Sequence, residues 1–296
     1  MGRGVRGRWR PYRIAGLACA LTAALAGCTP LLPGGDTPDG TPAEILAGCC
    51  DRIGAYPDWM IRLADANAEP LRRLGLIQLR PGWMSGQPAA RTLLEDALRP
   101  MDVLFFHSDN RVSGLLIPGQ FTHGAVYIGT EAQLRAAGLW HLPALAPWRD
   151  SIAAGNTYLE SVDGGVRLIG GDVVLDTDTV VALRPRGVDR AAVLRRGLAR
   201  MGVPFDMRFD AGDPSALFCA ELIALMFPAA DLPRTPVVTR ETILIDGIVA
   251  GALSGDLPFD LIGYVEATPG GGARALSRHD LARTIAAQWA RRPTQR

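Results

Sequence analysis

The chain contains no lysine: all 31 of its basic residues other than histidine are arginine. That absence excludes Schiff-base chemistry on lysine, a P-loop lysine and a Ser-Lys dyad. Cysteine is sparse, at five residues among 296, and no pair has the spacing of a zinc ligand set. No internal repeat and no charge block interrupts the chain. The glycine pairs Gly164-Gly165 and Gly170-Gly171 mark turns, since no dinucleotide pattern surrounds them. A strongly basic surface is missing as well. The formal net charge is +1, but Arg3, Arg6, Arg8, Arg10 and Arg13 all crowd the first 13 residues. Without those five, 26 basic residues face 30 acidic ones, a net charge of −4. Nucleic acid is therefore not an expected partner, because phosphate binding needs a basic face.

What is present begins with an address. The arginine-rich start is followed by a short apolar run, Ile14 to Leu25, and then by Leu25-Ala26-Gly27-Cys28. A basic start, a short apolar stretch and small residues at a cut site read as a secretory signal over 1–27. The apolar run is too short to span a bilayer comfortably. Leu25-Ala26-Gly27-Cys28 resembles a bacterial lipobox. The resemblance implies that the signal is cut before Cys28, that Cys28 carries a diacyl group and that the new N-terminus is acylated, which gives stable anchoring. With Thr29 and not an acid after the cysteine, the usual sorting rule points to the outer membrane, with the domain facing the periplasm. Residues 28–42 are rich in proline, glycine and polar residues and read as a flexible tether.

After processing, Cys49, Cys50 and Cys219 remain. Adjacent cysteines seldom bridge each other, because that geometry is strained. Cys49 and Cys50 are therefore expected as small buried apolar residues on a helix, or with one of them paired elsewhere. Residues 43–99 read as a helical extension, with helical patterns over 43–75 and 88–98. Residues 100–268 form the main domain, and 269–296 a linker with a terminal helix of mostly solvent-compatible residues. Strands are expected at 102–106, 124–129, 157–161, 165–169, 179–183 and 261–265, with a capping box from Thr130 to Gln133 and a tight turn at Asp163-Gly164. Helices are expected at 189–201, 219–227 and 240–250. A run of strands with helices clustered around it argues an α+β fold, an antiparallel sheet or half-barrel packed against helices.

One constellation carries chemistry. Asp213-Pro214-Ser215 can open a helix that holds Cys219 in its first turns. Positive potential at a helix N-terminus favours the thiolate, the reactive form of cysteine. His123 stands at the start of a strand beside small Gly124, placed to reach a packed helix. Glu160, on the next strand, can orient the imidazole and stabilise its cation. Nucleophile, base and orienter is the recurrent arrangement of covalent catalysis. Without this context, Cys219 reads as an inert core cysteine, His123 as a structural histidine and Glu160 as an exposed strand residue. His107, His141 and His279 keep the structural reading, with His107 the nearest rival to His123. Asp102 and Asp206 are expected to hold turns, and Glu221 to point away from the site and cap or pair on its helix.

The segments Asp102-Val103-Leu104-Phe105, Thr122-His123-Gly124-Ala125-Val126, Leu159-Glu160-Ser161 and Phe218-Cys219-Ala220-Glu221-Leu222 come in that order. Together with Pro204-Phe205-Asp206 they resemble the permuted papain-like hydrolases of the NlpC superfamily, the YiiX/YaeF type. The resemblance covers about residues 100–265, and its diagnostic feature is histidine before cysteine. Ala220 stands where the family often has serine, and the family's third catalytic member varies. The resemblance implies a circularly permuted papain-like (NlpC-like) fold. It also implies a cell-envelope cysteine amidase or peptidase-type hydrolase, with Cys219 as nucleophile, His123 as base and Glu160 as orienter. No cofactor or metal is called for.

In the reaction so implied, the Cys219 thiolate attacks a carbonyl carbon, His123 protonates the departing amine or alcohol, and water releases the acyl-enzyme. The Cys219 amide would be one oxyanion donor. The expected substrate is a peptidoglycan peptide or a lipid-derived acyl group, with lipid acyltransferase or thioesterase action and a non-enzymatic ligand-binding lipoprotein as alternatives. Leu115, Leu116, Ile117 and Phe121 favour an apolar ligand, and the stretch between Ile128 and Thr157 is expected as a substrate lid.

Overall fold

The computed structural model describes residues 40–50, 58–117, 119–238 and 240–290. The signal over 1–27, the lipidation site Cys28 and most of the tether over 28–42 lie outside these residues.

Strands β1 (Asp102–His107), β2 (His123–Tyr127), β3 (Tyr158–Val162), β4 (Gly165–Ile169), β5 (Thr179–Pro185), β8 (Phe259–Ala267) and β9 (Ala273–Ala275) form one sheet. Its order is β4-β3-β2-β1-β5-β8-β9, and every pairing is antiparallel. The short hairpin β6 (Thr235–Val237) and β7 (Arg240–Thr242) stands apart. Helices precede the sheet as α1 (Pro42–Ile45), α2 (Asp58–Ala66), α3 (Ala68–Gly75) and α4 (Pro88–Glu95). Between the strands run α5 (Val112–Leu116), α6 (Glu131–Ala136), α7 (Arg149–Ala153), α8 (Gly171–Val174), α9 (Arg190–Leu198), α10 (Cys219–Met226) and α11 (Ile245–Ser254). The last helix is α12 (Arg278–Ala290). The fold class is α+β, a seven-stranded antiparallel sheet with helices against it.

The central strand β1 reads Val-Leu-Phe-Phe without alternation because both of its faces are buried. Val103 and Phe105 join the core under α9, α10, α11 and α12, while Leu104 and Phe106 join the core under α4. The β3–β4 turn is the tight one that Asp163-Gly164 predicts, with Gly164 at a φ of 95°. The capping box at Thr130 is also present, with Gln133 reaching back to the Thr130 amide.

Several expectations change. The helical reading of 43–75 breaks into α1, α2 and α3, and 51–57 lie outside the described residues. The expected helix at 240–250 is instead strand β7 followed by α11 from Ile245, because Arg240–Thr242 pair with the strand before them. Strand β9, which the glycine-rich stretch at 269–272 conceals, extends the sheet. The terminal helix α12 buries Leu281, Ala282, Ile285 and Trp289 in the core. The stretch expected as a lid is a packed layer: Leu134, Leu145 and Ile152 are fully inside, and Arg135 and Arg149 lie against the buried Trp140 ring. Burying three large apolar side chains ties such a segment down far too strongly for a lid.

Cys49 and Cys50 also depart from expectation, since they bridge each other. They sit in a turn beyond α1 and not on a helix, and the left-handed backbone at Cys50, φ 75°, makes room for the small ring. Cys219 is thereby the free cysteine among the described residues.

Candidate active site

Cys219 is the first residue of α10, and the helix opens on it and not on Asp213. Asp213 instead accepts from the amide and hydroxyl of Ser215, closing its own turn several residues earlier. Phe218 is the N-cap and supplies no side-chain cap. The sulfur therefore sits at the positive end of the helix, where a thiolate gains most from the amide dipoles. Cys219 is buried, as are Ala220 and Leu222 behind it.

His123 opens β2, opposite Phe106 of β1, and its ring stacks on the Phe106 ring at 5.6 Å between centroids. Ala125, two residues on and so on the same face, pairs with Glu160 of β3. That register brings the carboxylate to the imidazole: His123 Nε2 lies 2.8 Å from Glu160 Oε2. With Nε2 engaged there, Nδ1 is the nitrogen available to sulfur, and Cys219 is near enough to favour the protonated imidazole. All three residues named from the sequence are thus brought together. Glu160 is buried and not an exposed strand residue, whereas 28% of the His123 side chain remains accessible.

The electrostatics follow from these contacts. Burial pulls the His123 pKa down, but the hydrogen bonds to Cys219 and Glu160 and the Coulombic pull of both outweigh it, raising it to about 10. Burial pushes Glu160 up, and the hydrogen bond and charge of His123, aided by Arg167, bring it below the usual carboxylate range. The imidazole is therefore held as its cation at neutral pH, next to Cys219.

Close approach of helix and strand depends on Gly124. A Cβ there would stand 2.9 Å from the Phe105 ring and 3.0 Å from Ile223 Cδ1, so any side chain would have to displace that ring or the end of Ile223. Ser161 makes a second tie, its buried hydroxyl donating to the Leu217 carbonyl at 2.6 Å, just before the cysteine helix. Asp206 holds the turn ahead of that segment by accepting from the amides of Arg208 and Asp210, and Asp102 accepts two hydrogen bonds from Arg184 across to β5. Both are structural, as the sequence suggests. His107, at the end of β1, donates its Nδ1–H to the Gln120 carbonyl at 2.6 Å, and His141 and His279 are exposed.

Two residues escaped the sequence reading. Arg167 of β4 binds Glu160 Oε1 through Nε at 2.9 Å and so fixes the second carboxylate oxygen. Its signal was available: a two-residue turn at Asp163-Gly164 sets Glu160 opposite Arg167. Asp246 of α11 is buried and accepts from the amides of Gln120 at 2.6 Å and Phe121 at 2.9 Å and from Trp289 Nε1 at 2.7 Å. It braces the loop leading to His123 and docks α12 on it, and nothing local in the sequence marks it. Phe121, expected to favour an apolar ligand, packs inside the core against Tyr264. The side chains of Leu115 and Leu116 are outside the described set.

No family model, no curated protein and no solved structure matches this chain. The chemistry of the site is therefore read from its own geometry. A cleft of about 590 Å³ lies near β8, β9 and α12, lined by His107, Trp83 and Arg274 among others, and contains none of Cys219, His123 and Glu160. Among the described residues, no cluster of three histidine, cysteine, aspartate or glutamate side chains forms a metal site.

Glu221 sits two residues beyond the cysteine and is buried with Oε2 lacking any hydrogen-bond partner. Burial, and then the charge of Asp206, push its pKa up to about 7, against the Phe218 amide at the start of the helix, which favours the charged form. A folded pKa above the unfolded value of 4.5 means stability that is present in acid and lost as pH rises through about 7. Glu221→Gln keeps the shape of the side chain and removes that charge. The variant is expected to match the parent in denaturant melts at pH 4.5 and to exceed it by on the order of 2 kcal/mol at pH 9. Equal stability at pH 9 would show that the carboxylate finds a partner.

Proposed function

We propose that this chain is a cell-envelope cysteine hydrolase. In this reading its domain adopts a circularly permuted papain-like fold of the NlpC type. It cleaves an amide or ester through an acyl-enzyme on Cys219, with His123 as base and acid and Glu160 as the group that orients it. One observation supports this most: His123, far from both partners along the chain, is held by the buried Glu160 at 2.8 Å and has Cys219 close enough to act on its protonation. Placement of the sulfur on the first residue of α10 adds to it, because an amide at a helix start has no partner within the helix and can donate to the carbonyl oxyanion of an adduct on that sulfur. The order of histidine strand, glutamate strand and cysteine helix agrees with the permuted arrangement.

Atoms balance without further reactants. Sulfur attacks the carbonyl carbon, the His123 proton passes to the leaving amine or alcohol, and water attacks the thioester with His123 accepting its proton. In the same reading Cys28 carries acyl chains that hold the domain at the outer membrane, within reach of peptidoglycan stem peptides and of lipids. Among the described residues no helix is long and apolar enough to cross a membrane.

Intact-mass measurement after incubation with envelope extract tests the proposal and names the acyl group. A single added mass on Cys219, absent from Cys219→Ala, is the expected outcome. No adduct at any time point, with the thiol still free to alkylation, would leave ligand binding as the better account.

A further inference from the structure

Among the described residues, ten large apolar side chains are exposed, and seven of these lie between Trp59 and Leu79. Trp59, Leu63 and Leu79 each keep more than half of their surface, at 64%, 56% and 61%. Scattered single exposures need no explanation, but this concentration on one segment does. The inward side of α2 is settled by contacts. Ile61 packs on the core, and Asp65, one turn later, pairs with Arg240 at 2.7 and 3.0 Å. Trp59 and Leu63, also four residues apart, therefore share the opposite, outward side. Exposed Arg62 stands beside them.

The two helices also sit at the site. Arg72 of α3 pairs with Asp163 at 2.7 Å, in the β3–β4 turn three residues from Glu160. Arg240, the partner of Asp65, opens β7, whose Glu241 carbonyl accepts the Ala211 amide in the loop ahead of Cys219. One ion pair thus ties the helices to the glutamate side and the other to the cysteine side. Helix α3 packs on α5, which leads into the His123 loop.

We propose that the outward side of α2, with Trp59 and Leu63, together with the exposed Met60, Leu74, Leu76, Ile77 and Leu79, docks into a phospholipid bilayer, and that docking presents the Cys219 site to acyl groups held in that bilayer. The inference rests on the lipoprotein reading of Cys28. Eleven residues separate Cys28 from Gly40, where the described chain starts, and their full extension is about 40 Å. A domain held that close repeatedly meets the membrane surface. Tryptophan and leucine on one side of a helix, with arginine at its border, suit the boundary between headgroups and acyl chains, where the ring and the guanidinium find different partners. A bilayer also needs no shaped pocket on the protein, and exposed apolar side chains suffice to enter it.

The test uses the full acylated chain in phosphatidylethanolamine–phosphatidylglycerol vesicles whose acyl chains carry bromine, a contact quencher of tryptophan. The parent is expected to lose clearly more emission than Trp59→Phe, the difference being the Trp59 signal. Trp59→Glu with Leu63→Glu is expected to lower acyl-enzyme formation from vesicle lipid at least tenfold while leaving iodoacetamide alkylation of Cys219 unchanged. Trp59 emission that bromine does not quench overturns the docking, whether the face is covered by the chain's own tether, by a second copy or by water. Acylation is read separately by mass. An unacylated Cys28 removes the lipoprotein reading, and quenching by added vesicles still decides the docking. An unreactive Cys219 in the parent counts against the hydrolase alone.

Discussion

His123→Ala is expected to slow alkylation of Cys219 by iodoacetamide about 100-fold at pH 6 and to lower turnover by about 1,000-fold, within the range for loss of a general base. The free thiol among the described residues is Cys219, since Cys49 and Cys50 are bridged, so one carbamidomethyl adduct reports on this site. The pH profile carries the sharper expectation. The His123 pKa is raised to about 10 by its contacts with Cys219 and Glu160 against the opposing effect of burial, so the imidazolium survives well above its ordinary range. Activity that needs this proton for the leaving group is expected to fall on the alkaline side near pH 10. Glu160→Gln removes one of the two stabilising partners and should move that limb toward neutrality. The same contacts contribute stability that is complete below pH 6.5 and disappears as pH rises through about 10. A parent limb near pH 6.5, with alkylation indifferent to His123, would break the proposed pair.

Asp246→Ala is expected to be the most destabilising single change described, at about 3–5 kcal/mol, with loss of activity following the fold. The buried carboxylate accepts two backbone amides and the Trp289 indole, and its removal strands three donors inside the core. Each buried donor left without a partner costs about 1–3 kcal/mol, and a charge-assisted network costs more than its separate pairs. For a chain of this size the melting temperature should drop by roughly 10 °C. Asp246→Asn keeps the shape and should retain part of that loss. A melting shift under 2 °C for the alanine variant would mean that water or a neighbouring group replaces the carboxylate.

Much of the site was legible because local rules place it. Apolar runs bounded by turn residues mark β1, β2, β3 and β5, and the Asp163-Gly164 turn sets the register that puts Arg167 opposite Glu160. Where local rules fail, a longer-range contact has won. The helical pattern over 240–250 gives way to a strand because Arg240–Thr242 find a hairpin partner in Thr235–Val237. The supposed lid packs down because Leu134, Leu145 and Ile152 face a core that no window of sequence displays. Adjacent cysteines predict no mutual bridge, yet Cys49 and Cys50 form one at a left-handed backbone position, φ 75° at Cys50.

By itself the amino-acid order determined the signal-like N-terminus, the α+β character, the strand that carries the histidine and the helix that carries the cysteine, because each depends on residues within a few turns of one another. Only the tertiary structure decided that sulfur, imidazole and carboxylate meet, that Asp246 braces the histidine loop from another helix and that the apolar side of α2 is left facing outward. Those outcomes rest on packing between segments far apart along the chain, and burial and hydrogen bonding there are properties of the whole core.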